Sequence, residues 1–292
     1  MKTRKSILTN GAVRHHVQRD SKQKIFVSLI FLFFVRSIVF SESFSLSLFP
    51  KQNLLPVFSG NGTAHRFSIA QIFDSYNVIA SLGGQIPMIK ISYSSFDAYF
   101  SAAASSYIQL NPMERANLVT TDYVVDFFVL DIPFSPHTVL RIGPGHTSHH
   151  LSDNEYENLQ YKKSFLYIRD YWQAFIIQQS TALRGFMYAG VYYSYTFVAD
   201  KYLNKPWLFE IGFDGGNTQL WKQIFGYLAC DIKLRQESNF ATTQNYQLGI
   251  KRTGENNLTY RLAINYRTGL SEEGQFYSKY TSMGTLGFYI DF

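Results

Sequence analysis

From Trp221 the chain reads "WKQIFGYLACDIKLRQE", and its side chains sort by parity. Ile224, Gly226, Leu228, Cys230, Ile232 and Leu234 fall on one side, while Gln223, Phe225, Tyr227, Asp231, Lys233 and Arg235 fall on the other. Successive strand residues point to opposite faces, so this alternation describes a strand with one apolar and one mixed polar face. The pattern returns downstream. Tyr246, Leu248 and Ile250 alternate with Gln247, Gly249 and Lys251; beyond "TGENN", Leu258, Tyr260, Leu262, Ile264 and Tyr266 alternate with Thr259, Arg261, Asn265 and Arg267. A face of Lys, Arg, Asp, Asn and Gln is costly to bury in a soluble core, but it suits the lumen of a barrel whose apolar face meets lipid. A β-sandwich shares the periodicity, so alternation alone leaves both architectures open.

Candidate strands recur at 64–74, 76–92, 95–110, 121–133, 137–151, 162–178, 184–198, 206–215, 222–236, 241–252, 257–270 and 279–292. Each reaches the roughly 9–11 residues that a tilted membrane strand needs. About twelve strands, an even count, put both ends of an all-β, single antiparallel transmembrane β-barrel on the periplasmic side. "PFSPH", "TGEN" and "GGNTQ" then read as short periplasmic turns, and 111–120, 152–161 and 271–278 as longer outer loops. The second strand carries "GGQIP", whose glycines and proline fit a span poorly. Charged residues make up 16% of the chain, below the roughly 25% of an ordinary soluble domain. No stretch beyond residue 41 approaches the eighteen or so apolar residues of a transmembrane helix.

The net charge of +6 is local. Residues 1–41 hold Lys2, Arg4, Lys5, Arg14, Arg19, Lys22, Lys24 and Arg36 against Asp20 alone, which leaves the remainder slightly acidic. Nucleic acid is therefore not an expected partner. A basic leader, the apolar run "IFVSLIFLFFV" and small residues at Ser41 and Ser43 make 1–41 an expected signal peptide. A periplasmic lead-in (42–63) and one barrel domain (64–292) would follow. The single cysteine, Cys230, excludes an internal disulfide.

The sequence closes on "TLGFYIDF". Thr285, Gly287, Ile290 and Phe292 resemble the insertion signal of bacterial outer-membrane barrels, which implies the bacterial outer membrane as location and the barrel assembly machinery as a partner through this strand. "FPKQNLLPVF", "GHTSHHLSDNEY", "YLACDIKLRQESNF" and "GQFY" together resemble the uncharacterised outer-membrane family known as domain of unknown function 1207, over most of the chain beyond the leader. That family's central motif is H-x-S-S-H-L-G-D-E. His146, Ser148, His150, Leu151 and Asp153 keep it, while His149, Ser152 and Asn154 depart from it. The resemblance implies a barrel and a location, and no established activity.

Within "GHTSHHLSDNE", His146, Ser148 and His150 share one face at the outer end of strand 137–151, with Asp153 and Glu155 in the following loop. Three readings stand side by side. One is a hydrolase: Ser148 as nucleophile, His146 as base, and Asp153 or Glu155 orienting the imidazole. The His-x-Ser step resembles the pair in outer-membrane lipid A deacylases. Another is a calcium or zinc site from His146, His150 and Asp153. The third is a polar, structural or ligand-binding rim at the height of outer-leaflet lipid and lipopolysaccharide. Asp122, Asp126 and Arg141 read as lumenal ion pairs, and Asp231, Lys233, Arg235, Arg261 and Arg267 as lumen filling. The functional expectation is an outer-membrane barrel with a surface, structural or binding role. A lipid A or phospholipid acyl-ester hydrolase and a narrow pore for small solutes are the alternatives.

Overall fold

The computed structural model describes residues 44–51, 53–94, 96–113, 118–153, 166–199, 201–254 and 257–292. The expected signal peptide and Glu155 lie outside the described residues. Phe44, Ser45 and Ser92–Ser94 group as a small unit, and the described residues of 46–91 and 96–292 form a large one.

The strands are β1 (Phe44–Leu48), β2 (Phe67–Ile72), β3 (Val78–Tyr93), β4 (Phe96–Leu110), β5 (Leu118–Ser135), β6 (Thr138–Leu151), β7 (Tyr167–Ser180), β8 (Gly185–Ala199), β9 (Lys201–Tyr202), β10 (Trp207–Trp221), β11 (Ile224–Arg235), β12 (Ala241–Thr253), β13 (Thr259–Leu270) and β14 (Tyr280–Asp291). Setting aside the short β1 and β9, twelve strands pair antiparallel with their chain neighbours, and β14 closes on β2 through Ile290↔Phe67 to Thr285↔Ile72. Closure removes the free edges that lipid could not satisfy. No helix among the described residues is long and apolar enough to cross a membrane. The expected all-β barrel of about twelve strands is the observed architecture.

Alternation decides the two faces. On β11, Tyr227, Ala229, Asp231, Lys233 and Arg235 are buried inward, while Leu228 points out. Leu248, Leu262, Ile264 and Leu286 continue that outer apolar wall. β5 departs from strict period two: the register slips between Asp126 and Leu130, and Phe128 adopts φ 45°. This bulge inverts the parity, so Asp122, Asp126 and Asp131 all face inward and Phe127 and Phe128 both face out. Arg141 then binds Asp131 with both arms, at 2.7 and 2.9 Å.

Two expected boundaries move. "GGNTQ" belongs to β10 as an irregular stretch, and the reversal falls at Lys222, with φ 43°. "GGQIP" is continuous strand, because Gly83 and Gly84 make room for neighbours: a Cβ at Gly83 would lie 2.0 Å from Ser105 Oγ, and one at Gly84 3.2 Å from the Phe292 ring. β2 is shorter than expected because the chain before it turns into the lumen. Asn61 bonds Glu210 and Lys233, Arg66 bonds the carbonyls of Ser59 and Asn61, and Phe58 stacks on Tyr188 with centroids 4.0 Å apart. Gly60 lies so close to the wall that a Cβ would meet the Cys230 carbonyl carbon at 2.9 Å.

This inward segment plugs a barrel already crowded with side chains. Planar-bilayer recordings of the intact protein are expected to show no large steady conductance. Phe58→Ala removes the ring that anchors the segment, at a cost of about 3–5 kcal/mol, and should raise the frequency of opening events. Unchanged recordings would mean that the segment does not obstruct the lumen.

In the loop between β13 and β14, burial and the neighbouring Asp122 push the Glu273 carboxyl up to about 7. The folded protein thus holds this proton more tightly than the unfolded chain does. Stability from the bound proton is full below the ordinary value of 4.5 and is lost as pH rises through 7. The thermal midpoint should fall across that window, and less steeply in Glu273→Gln.

Candidate functional site

A lipid-facing wall should be apolar, because a polar group there finds no water to replace its hydrogen bonds. One patch of the outer wall breaks that rule. On β6, Ile142 points out, and His146, Ser148 and His150 share its parity. Arg141, Thr147 and His149 belong to the inward set: His149 Nδ1 lies 2.9 Å from Asp122 and accepts from the Gly274 amide at 3.0 Å. On β7 the outward set is Ile168, Asp170, Trp172 and Ile176. The pairing His146↔Asp170 puts imidazole and carboxylate side by side.

The four polar groups satisfy one another. His146 Nδ1 donates to Asp170 Oδ1 at 2.7 Å, with each side chain about one-third exposed, at 32% and 31%. Ser148 Oγ shares a hydrogen bond with His150 Nε2 at 2.8 Å. Tyr123 meets the His150 ring edge-on at 5.9 Å, and exposed Trp172 flanks Asp170 in sequence. With Nδ1 donated to a carboxylate, the lone pair of a neutral His146 sits on Nε2, the tautomer a general base needs.

Of the residues that the sequence singled out, His146, Ser148 and His150 come together on one face. Asp153 is exposed just beyond the end of β6, and the carboxylate on His146 is Asp170. His146, His150 and Asp153 do not assemble as a ligand set, and no group of three His, Cys, Asp or Glu among the described residues is placed to hold a metal ion. Asp170 carried a legible signal. In "YIRDYWQ" it is an acid on the apolar parity, between Ile168 and Trp172.

On the outer wall Ser148 and Asp170 bond different histidines, whereas in the lumen one histidine bridges a serine and an aspartate. His65 Nδ1 lies 3.1 Å from Ser105 Oγ, and its Nε2 lies 3.0 Å from Asp126 Oδ2. Ser105 is 5% exposed, is pressed against Gly83 and stands outside the lining of the neighbouring cavity. This trio fastens the inward segment to the wall; Ser148 is scarcely more exposed, at 8%, but faces the outer side of the barrel, whereas Ser105 faces the lumen.

The same architecture occurs in solved enzymes. The barrel is similar to that of outer membrane phospholipase A from Escherichia coli, with TM-score 0.50, 14% identity, and 78% of this chain covering 96% of that one. An active-site mutant of that enzyme matches at TM-score 0.50 and 13% identity, over 82% of this chain and 94% of the other. At these identities the likeness is one of fold. The chain is an outer-membrane-type β-barrel. No family profile and no curated protein matches the sequence, so the resemblance to domain of unknown function 1207 rests on the four quoted segments alone.

Proposed function

We propose that the protein is an acyl-ester hydrolase of membrane phospholipid, working from the outer face of the barrel in the outer membrane. The observation that carries this is the outward Asp170–His146 pair beside Ser148 on a wall otherwise built for lipid. Charge on a lipid-facing strand costs about 0–1 kcal/mol near the membrane interface and more toward the midplane. A substrate that is itself a membrane lipid can reach this face by lateral diffusion.

In this reading Ser148 Oγ attacks the ester carbonyl and its proton passes to His146 Nε2. Asp170 holds the ring and stabilises the imidazolium. Collapse of the tetrahedral intermediate expels the lysophospholipid alkoxide, which takes that proton, and leaves an acyl-serine. Water, deprotonated by the same imidazole, then releases the fatty acid. The resting Ser148–His150 bond satisfies the hydroxyl, and in this reading Ser148 must leave it to engage His146.

The test is fatty-acid release by purified, folded barrel from mixed micelles of phospholipid, with lipid A assayed in parallel. Release from phospholipid is expected. Release from lipid A alone would redirect the substrate to the sugar-linked esters, and release from neither would contradict the reading.

A further inference from the structure

A cavity of about 140 Å³ lies inside the barrel against the inward segment, on the opposite side of the wall from Ser148. Its aromatic wall includes Tyr171, Phe175 and Tyr192, with Tyr171 and Phe175 each meeting Tyr192 edge-on. Its charged lining divides by hydrogen-bond accounting.

The carboxylates of the lining all face donors, although Glu272 Oε2, 2.9 Å from Arg267, lacks an aligned hydrogen bond. Asp126 binds His65 and Tyr171. Glu210 accepts from Asn61 and Tyr192, and Glu272 from Lys233. Of the three guanidiniums in the lining, Arg141 is held by Asp131 with both arms, whereas Arg169 and Arg235 keep bare nitrogens. Arg235, 4% exposed, donates through Nη2 only to neutral acceptors: Thr243 Oγ1, the Leu270 carbonyl and the Ser271 carbonyl. Its Nε has no acceptor. Arg169, 3% exposed, donates through Nε to Ser194 Oγ, reaches Glu237 through a 3.3 Å contact and lies over the Phe197 ring, but leaves Nη2 bare. Buried donors without acceptors cost about 1–3 kcal/mol each, more when charged. Two guanidiniums with bare nitrogens in one cavity lining offer donors to an oxyanion.

We infer that this lumenal cavity binds a small oxyanion, a carboxylate or phosphate, carried on a flat apolar body, with Arg169 and Arg235 taking the charge and the aromatic wall taking the body. A planar guanidinium fork matches either anion. The inference is independent of the outer-wall hydrolase, because no residue is shared between the two.

The experiment is calorimetric titration of the folded, detergent-solubilised full chain at low salt with phenyl phosphate, benzoate, inorganic phosphate and benzyl alcohol. At least one aromatic anion is expected to bind with Kd below about 1 mM, and the tighter of the two names the class. Benzyl alcohol should bind at least about tenfold more weakly. Arg235→Gln and, separately, Thr147→Phe, which fills the cavity while keeping both cations, should each weaken binding by about tenfold or more. No binding of either aromatic anion up to about 10 mM would mean that water alone fills the cavity, and equal binding of benzyl alcohol would mean that charge is not read. Inorganic phosphate binding as tightly as phenyl phosphate would remove the apolar body. Each of these wild-type results overturns the inference whether or not the variants fold, as does binding that survives both variants in folded form.

Discussion

Replacing Ser148 with alanine is expected to lower fatty-acid release from phospholipid by about 10³-fold or more, with unheated gel mobility unchanged. His146→Ala should lose a similar factor. The double variant should be no worse than either single one, because nucleophile and base disable one unit. Asp170→Asn keeps the shape but presents an amide in place of the carboxylate, so it no longer stabilises the imidazolium; a loss of about 10²-fold or more is expected. His150→Ala removes only the resting partner of Ser148 and should cost less than tenfold. If His150→Ala were the silencing change and His146→Ala the mild one, the two imidazoles would exchange roles.

The second large effect lies on the inner wall. Arg261 is 1% exposed; it grips Asp291 at 2.7 and 2.8 Å, donates to Tyr227 and Gln247, and lies over the Tyr227 and Tyr289 rings. Asp291 belongs to β14 and Arg261 to β13, so the pair staples neighbouring strands near the closure on β2. Arg261→Met strands the Asp291 carboxylate and is expected to cost about 3 kcal/mol. That lowers the temperature at which the compact gel band converts to the unfolded one by roughly 10 °C. Arg261→Met with Asp291→Asn should recover much of the loss, because the uncompensated charge disappears. A double variant as unstable as the single would assign the loss to packing against the two tyrosines.

The barrel was legible because its alternation is a property of single strands. Leu228, Leu248, Leu262 and Leu286 declare the outer wall, and Asp231, Lys233 and Arg261 the inner one, without knowledge of any partner strand. What escaped were features set by pairing and by chain reversal. The β5 bulge at Phe128 inverts a parity that a strict period would carry through, and the inward turn of 53–66 shortens β2 because its polar groups find Glu210 and Lys233, far away in sequence. The outer-wall cluster was half visible. His146, Ser148 and His150 share a face by spacing alone, whereas Asp170 joins them only through the register of β6 on β7. Its lone acidic side chain on an apolar parity was the available sign.

The central claim is that Ser148 is a nucleophile on the lipid-facing wall, and covalent labelling tests it most directly. Folded protein would be treated with a long-chain alkyl fluorophosphonate, digested, and its modified serine located by mass spectrometry. The account predicts phosphonylation of Ser148, greatly slowed in His146→Ala, with lumenal Ser105 unmodified. A label on Ser105, or none on Ser148 after prolonged exposure, would contradict it.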